Sequence, residues 1–124
     1  MKRLIAAAIL MVLIVGIYLT GYFYIEKICK ETEKMVKECV TAYKENRNVN
    51  PGAQKLKSYW CSKEKMLSIF ANHNSIDEIE LAIDLLWVHG KYREDDLFYE
   101  YSTTLQMLLH QLMEDTEPSA HSIL

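Results

Sequence analysis

The groups in this 124-residue chain that could do chemistry are three cysteines, four histidines and 17 acidic side chains. Cys29, Cys39 and Cys61 form no C-x-x-C pair, so zinc-ribbon and thioredoxin-like motifs are missing. An odd number also excludes complete internal pairing. One pair has the right spacing: in a helical hairpin turning about Asn48–Asn50, positions whose numbers add to about 100 lie level, as Cys39 and Cys61 do. An oxidising compartment permits a disulfide there, provided the Cα atoms come within about 7 Å.

The histidines carry less. His73 and Asp77 stand four apart, as do His110 and Glu114, so each pair shares a helical face in the way metal ligands do. No Glu-x-x-His or His-Glu-x-x-His accompanies them, and two mixed ligands do not make a site. Neither a metal nor a cofactor is expected. His73 and Asp77 read better as a polar lock at a helix corner. Glu78, Glu80 and Asp84 have the spacing of a solvated face rather than of a catalytic carboxylate pair in a cleft. The strained Ser turn and the Gly-rich phosphate loop are both missing. The residues predict no enzyme and no catalytic residue.

The elements that hold these groups are dominated by one feature. Leu4 to Ile25 is a run of 22 residues without a charge. As a helix it spans roughly 33 Å, enough to cross a hydrocarbon core of about 30 Å. Its end, Tyr22-Phe23-Tyr24-Ile25, is bulky and offers no A-x-A cleavage site, so an uncleaved signal-anchor is expected over residues 1–25. Tyr18, Tyr22, Phe23 and Tyr24 mark one membrane face. Lys2 and Arg3 flank one side of the run and Lys27, Lys30, Lys34 and Lys37 the other, so the basic count alone does not decide the side; a short basic N-terminus before a first apolar helix most resembles a signal-anchor with the rest of the chain outside the cell membrane. Gly16-x-x-x-Thr20 is a small-x-x-x-small pattern that could pair anchors into a homo-oligomer.

Residues 26–116 read as helices with short breaks, and 117–124 as a tail. Ile28, Met35, Val36, Cys39, Val40 and Tyr43 recur at helical spacing with no breaker after the anchor, so one rod is expected to leave the membrane. Asn46 to Gly52 is the clearest turn. A second helix follows from about Ala53 to Asn72. Ser75-x-x-Glu78 is a capping box ahead of a third helix ending near Gly90. A fourth runs from about Glu94 to Asp115, with Pro118 closing it. The expected fold is all-α: a transmembrane helix continuing into an antiparallel up-down bundle of about four helices. Trp87 lies one position off the Ile79–Ile83–Leu86 stripe and is a candidate partner contact. Residues 26–65 carry a net charge of +4 and residues 66–124 of −9, so the two halves are expected to pack against each other. No basic stripe with interleaved aromatics appears, which argues against nucleic acid.

Taken together, the anchor, Trp60-Cys-Ser-Lys63-Glu-Lys65-Met-Leu-Ser-Ile-Phe70, His73-Asn-Ser-Ile76-Asp77-Glu-Ile79-Glu80 and Ser122-Ile123-Leu124 resemble the bacterial family called "domain of unknown function 4363". The stretch before Pro51 is less acidic than that family's pattern, and the three cysteines depart from it. The resemblance implies a small single-pass membrane protein with a helical domain, and it implies no reaction. It draws attention to His73, Asp77, Ile123 and Leu124. An Ile123-Leu124 tail could fold into a groove or meet a partner. The functional expectation is a non-enzymatic interaction or scaffold module that contacts the bilayer and another membrane or envelope protein. The alternative is a ligand-sensing bundle acting through a membrane partner.

Overall fold

The apolar run and the polar rod after it are one helix. In the computed structural model, which describes residues 1–116, α1 runs unbroken over Lys2–Lys44. Then come α2 (Asn50–Phe70), α3 (His73–Lys91) and α4 (Asp95–Thr116). α1 packs on α2, α2 on α3, α3 on α4, and α4 returns to α1. That last contact closes an all-α antiparallel bundle. Pro118, Ile123 and Leu124 lie outside the described residues.

α1 has two halves with different surroundings. Residues 1–20 are exposed throughout, and this apolar half makes α1 long and apolar enough to cross a membrane. Packing begins at Gly21 and Ile25, so the bundle reaches into the last residues of the apolar run. Gly21 is small for a reason: a Cβ there would stand 2.4 Å from the Phe70 ring at the end of α2. From Ile25 onward, Ile28, Cys29, Thr32, Val36, Cys39 and Tyr43 face inward. They meet Leu56, Trp60 and Leu67 of α2, Ile79, Ile83 and Leu86 of α3, and Phe98, Leu105 and Leu109 of α4.

The turns differ in detail from the expectation. α1 stops at Lys44 and Asn46 takes the left-handed conformation (φ 58°), which Asn tolerates well. Asn48 Oδ1 accepts from the Asn50 amide at 3.0 Å, and Pro51 sits in the first turn of α2, where a missing N–H costs nothing. At the next corner the cap is Asn72, whose side chain accepts from the Asn74 amide at 2.8 Å. The helix therefore starts ahead of Ser75, and the Ser75–Glu78 box lies within it. Gly90 does not stop α3. It is buried inside the helix, where a Cβ would meet the Phe98 ring at 3.1 Å and Val49 at 3.3 Å. The chain turns instead at Arg93, φ 56°.

Candidate functional site

Lys57, Cys61 and Glu64 recur at i, i+4 and i+7 along α2, opposite Glu80 and Asp84 at i and i+4 on α3. The Lys57 ammonium donates to Glu80 Oε1 at 2.9 Å and to Asp84 Oδ1 at 2.7 Å. Cys61 Sγ stands 3.7 Å from Glu80 Oε1. One donor atom from each of Cys61, Glu64 and Glu80 lies within 4.8 Å of the others, so these are the residues that could hold a cation.

The electrostatics show what this cluster does when left to itself. Burial, then the hydrogen bond it shares with Glu80, pushes the Glu64 carboxyl up to about 7. That hydrogen bond and the Lys57 ammonium hold Glu80 below the usual carboxylate range. Burial works against the charge on Lys57, but Asp84 and Glu80 outweigh it and raise its pKa. Burial and the neighbouring Glu64 also raise the Cys61 thiol. The buried Oε1 of Glu64 meets no hydrogen-bond donor. Lys57 supplies the cluster with its own cation. It pins α2 to α3. Nothing in the sequence marked Lys57 or Glu64 individually; only the register of the two helices brings their faces together.

The residues singled out from sequence are dispersed. All three cysteines are free thiols. Cys39 is buried against Gly52, where a Cβ would lie 3.2 Å from its Sγ, whereas Cys61 is exposed beside Glu80. The expected Cys39–Cys61 bridge does not form because the hairpin register differs. Gly21 faces Phe70 and Cys39 faces Gly52, so level positions add to 91 rather than 100. Burial raises the Cys29 and Cys39 thiols to about 12 and about 11. Maleimide applied to the native chain should therefore label one thiol, Cys61, with the other two reacting only after denaturation. Intact mass spectrometry reads this directly, and two rapid labels or none would contradict it.

His73 and Asp77 are both exposed, and no hydrogen bond or ion pair joins them among the described residues. The corner is held by Asn72 rather than by that pair. His110 turns toward α1, with Nε2 3.7 Å from Glu33. Trp87 is half-buried, and its indole N–H donates to Asn50 Oδ1 at 3.0 Å and ties α3 to the start of α2.

That tie belongs to a clamp at the end of the bundle remote from the apolar half. Arg93 donates to the backbone carbonyls of Tyr43 at 3.1 Å and Arg47 at 2.7 Å, and its guanidinium lies 4.8 Å from the Tyr43 ring centre. The Tyr43 hydroxyl donates to Asp95. Burial, then that carboxylate, pushes the hydroxyl up to about 12. The turn after α1 and the turn after α3 are in this way fastened together.

One face has no such internal use. Leu81 (58% exposed), the half-buried Leu85 and Val88 (46%) follow one another at spacings of four and three along the outer side of α3, and Tyr92 (65%), the residue that caps the helix, comes four further on. This is the spacing of a coiled-coil seam. No partner covers it among the described residues.

A closed four-helix bundle with an apolar extension of its first helix, a charge pin between α2 and α3 and one uncovered seam defines a small helical domain with a candidate membrane anchor. The chain belongs to the family described as a domain of unknown function (DUF4363), which matches residues 19–123. The match starts beside Gly21, where packing of the bundle starts, so the family unit and the packed unit begin together. No curated protein and no solved structure matches the chain.

Proposed function

We propose that the protein is a single-pass, membrane-anchored, non-enzymatic interaction module. Its bundle stands at the outer face of the cell membrane and docks a helix of another membrane or envelope protein along α3. The observation that carries this reading is the uncovered Leu81–Leu85–Val88–Tyr92 seam. Exposed apolar side chains at heptad spacing match the anchors of helix-on-helix recognition. Asp77 and Glu78 are exposed at the start of the same helix and favour a partner with basic flanks. Lys2 and Arg3 ahead of the apolar run support the outer-face placement.

The test is a photo-crosslinking residue at position 88 of the full chain in its native membranes. A discrete adduct is expected, and Leu81→Glu on the same face should reduce its yield about tenfold, the equivalent of about 1.4 kcal/mol. Leu81 is exposed, so that change leaves folding intact. The adduct's mass distinguishes a different protein from a second copy of this chain. Absence of an adduct, or one indifferent to Leu81→Glu, overturns the reading.

A further inference from the structure

The free apolar stretch of α1 is shorter than the apolar run. Leu4 to Thr20, the part that is exposed throughout, is 17 residues, or about 25 Å of helix. A hydrocarbon core is about 30 Å thick. The missing length is the next turn of α1, and one side of that turn is occupied: the Phe70 ring lies on Gly21, while Phe23 stays 61% exposed. Phe70 reaches further still. With Val12, Leu13, Gly16, Ile17 and Thr20 it lines an open cleft of about 450 Å³ alongside the apolar half. Gly16 has nothing within 4 Å of where a Cβ would stand, and the Thr20 hydroxyl is turned back onto the Gly16 carbonyl at 2.8 Å, which leaves the cleft wall apolar.

Beside Phe70 the surface is apolar as well. Ile69 is 68% exposed and Met66 is exposed one turn earlier on α2. Asn72, His73 and Asn74 follow at once, polar and exposed. An apolar tip backed by polar residues suits the boundary between acyl chains and headgroups, where amphipathic elements bury about 5–10 Å of depth.

We propose that the α2–α3 corner, led by Ile69 and Phe70, is seated in the bilayer boundary beside α1, so that the protein meets the membrane at two places. This rests on the reading of α1 as a membrane span. The second foothold fixes rotation of the whole molecule about the α1 axis, which a single span would leave free.

The experiment uses the full chain in phosphatidylcholine–phosphatidylglycerol vesicles whose acyl chains are brominated either near the headgroup or near the methyl end. Three exposed positions are replaced singly by tryptophan, and the emission added over the wild type is followed. Ile69→Trp should be blue-shifted and lose most of its added emission to the shallow bromines. Leu13→Trp should be quenched by the deep bromines. Met107→Trp, on the water-facing side of α4, should be quenched by neither. Quenching at 13 but not at 69 overturns the seated corner while leaving the span in place. A concentration-dependent blue shift at 69 without quenching means that a second copy covers the corner, which also overturns it. Loss of quenching at both positions overturns the span and the corner together.

Discussion

Phe98→Ala is expected to destabilise the bundle by about 3–5 kcal/mol, the cost of emptying a fully buried aromatic site that cannot collapse. The surroundings argue for the upper part of that range. The Phe98 ring is fully buried and stacks on Tyr43, with centroids 4.1 Å apart and planes at 16°. It meets Tyr99 edge-on at 5.6 Å and 73°. Its other side is covered by Gly90, which has no side chain to move into the space. Removing the ring takes the support from Tyr43 and thus from the clamp that joins the two distal turns. In a bundle of this size, each kcal/mol lowers the midpoint by about 4–8 °C. Thermal melting of the full chain in mild detergent should show a fall of more than about 12 °C. Tyr99→Ala, which removes a partly exposed ring, is the control and should fall far less. A loss below about 1 kcal/mol for Phe98→Ala would refute the packing described.

Lys57→Met is expected to lower stability in a way that depends on pH. In the wild type, Glu64 is raised from 4.5 to about 7, so its contribution to stability is complete below 4.5 and is lost as pH rises through 7. Lys57 is raised above its ordinary value, so its contribution is complete below 10.5 and is lost only in stronger alkali. Without the ammonium, Glu64, Glu80 and Asp84 face one another with no cation, and the Glu64 carboxyl, already raised, is driven further toward its protonated form. The variant should be less stable than the wild type by about 1–2 kcal/mol at pH 8. This is below the cost of breaking a fully buried pair, because the side chains of Lys57, Glu80 and Asp84 retain 24%, 31% and 45% of their exposure. At pH 5 the carboxyls take up protons and the difference should shrink. Melting curves at the two values decide it. A deficit that does not change with pH would mean that Lys57 acts only through its aliphatic stem.

Much of the architecture could be read from residue types. The charge-free run, the helical spacing through Tyr43, the Asn-rich turn before Pro51 and the acids opening α4 all lie where helix physics puts them, and the all-α fold follows. What could not be read was register. A hairpin's level depends on where its turn closes, and the left-handed Asn46 closes it early. That shift separates Cys39 from Cys61 and brings Gly21 under Phe70. Gly90 illustrates a second limit. Glycine near a helix end serves equally as a stop or as room for a neighbour, and only the position of Phe98 distinguishes them. The charge cluster was hidden for the same reason as the disulfide: its halves sit on two helices whose facing sides cannot be assigned from either one. Trp87 packs at the margin of the core, and its indole partner, Asn50, lies 37 residues earlier in the chain.

The unbroken passage of α1 from its apolar half into the bundle makes the molecule a lever. From Gly21 to Tyr43 the helix rises about 33 Å above the point where packing starts. Transmembrane helices tilt over a range of tens of degrees as bilayer thickness changes. With the apolar half in a bilayer, a change in tilt of about 10° carries the distal clamp sideways by roughly 6 Å, because no hinge absorbs it. Rotation is transmitted as faithfully: one residue inserted between Thr20 and Gly21 would turn the seam on α3 by about 100° around the axis. With the apolar half in a bilayer, the orientation of the span would therefore set the position and direction of the seam.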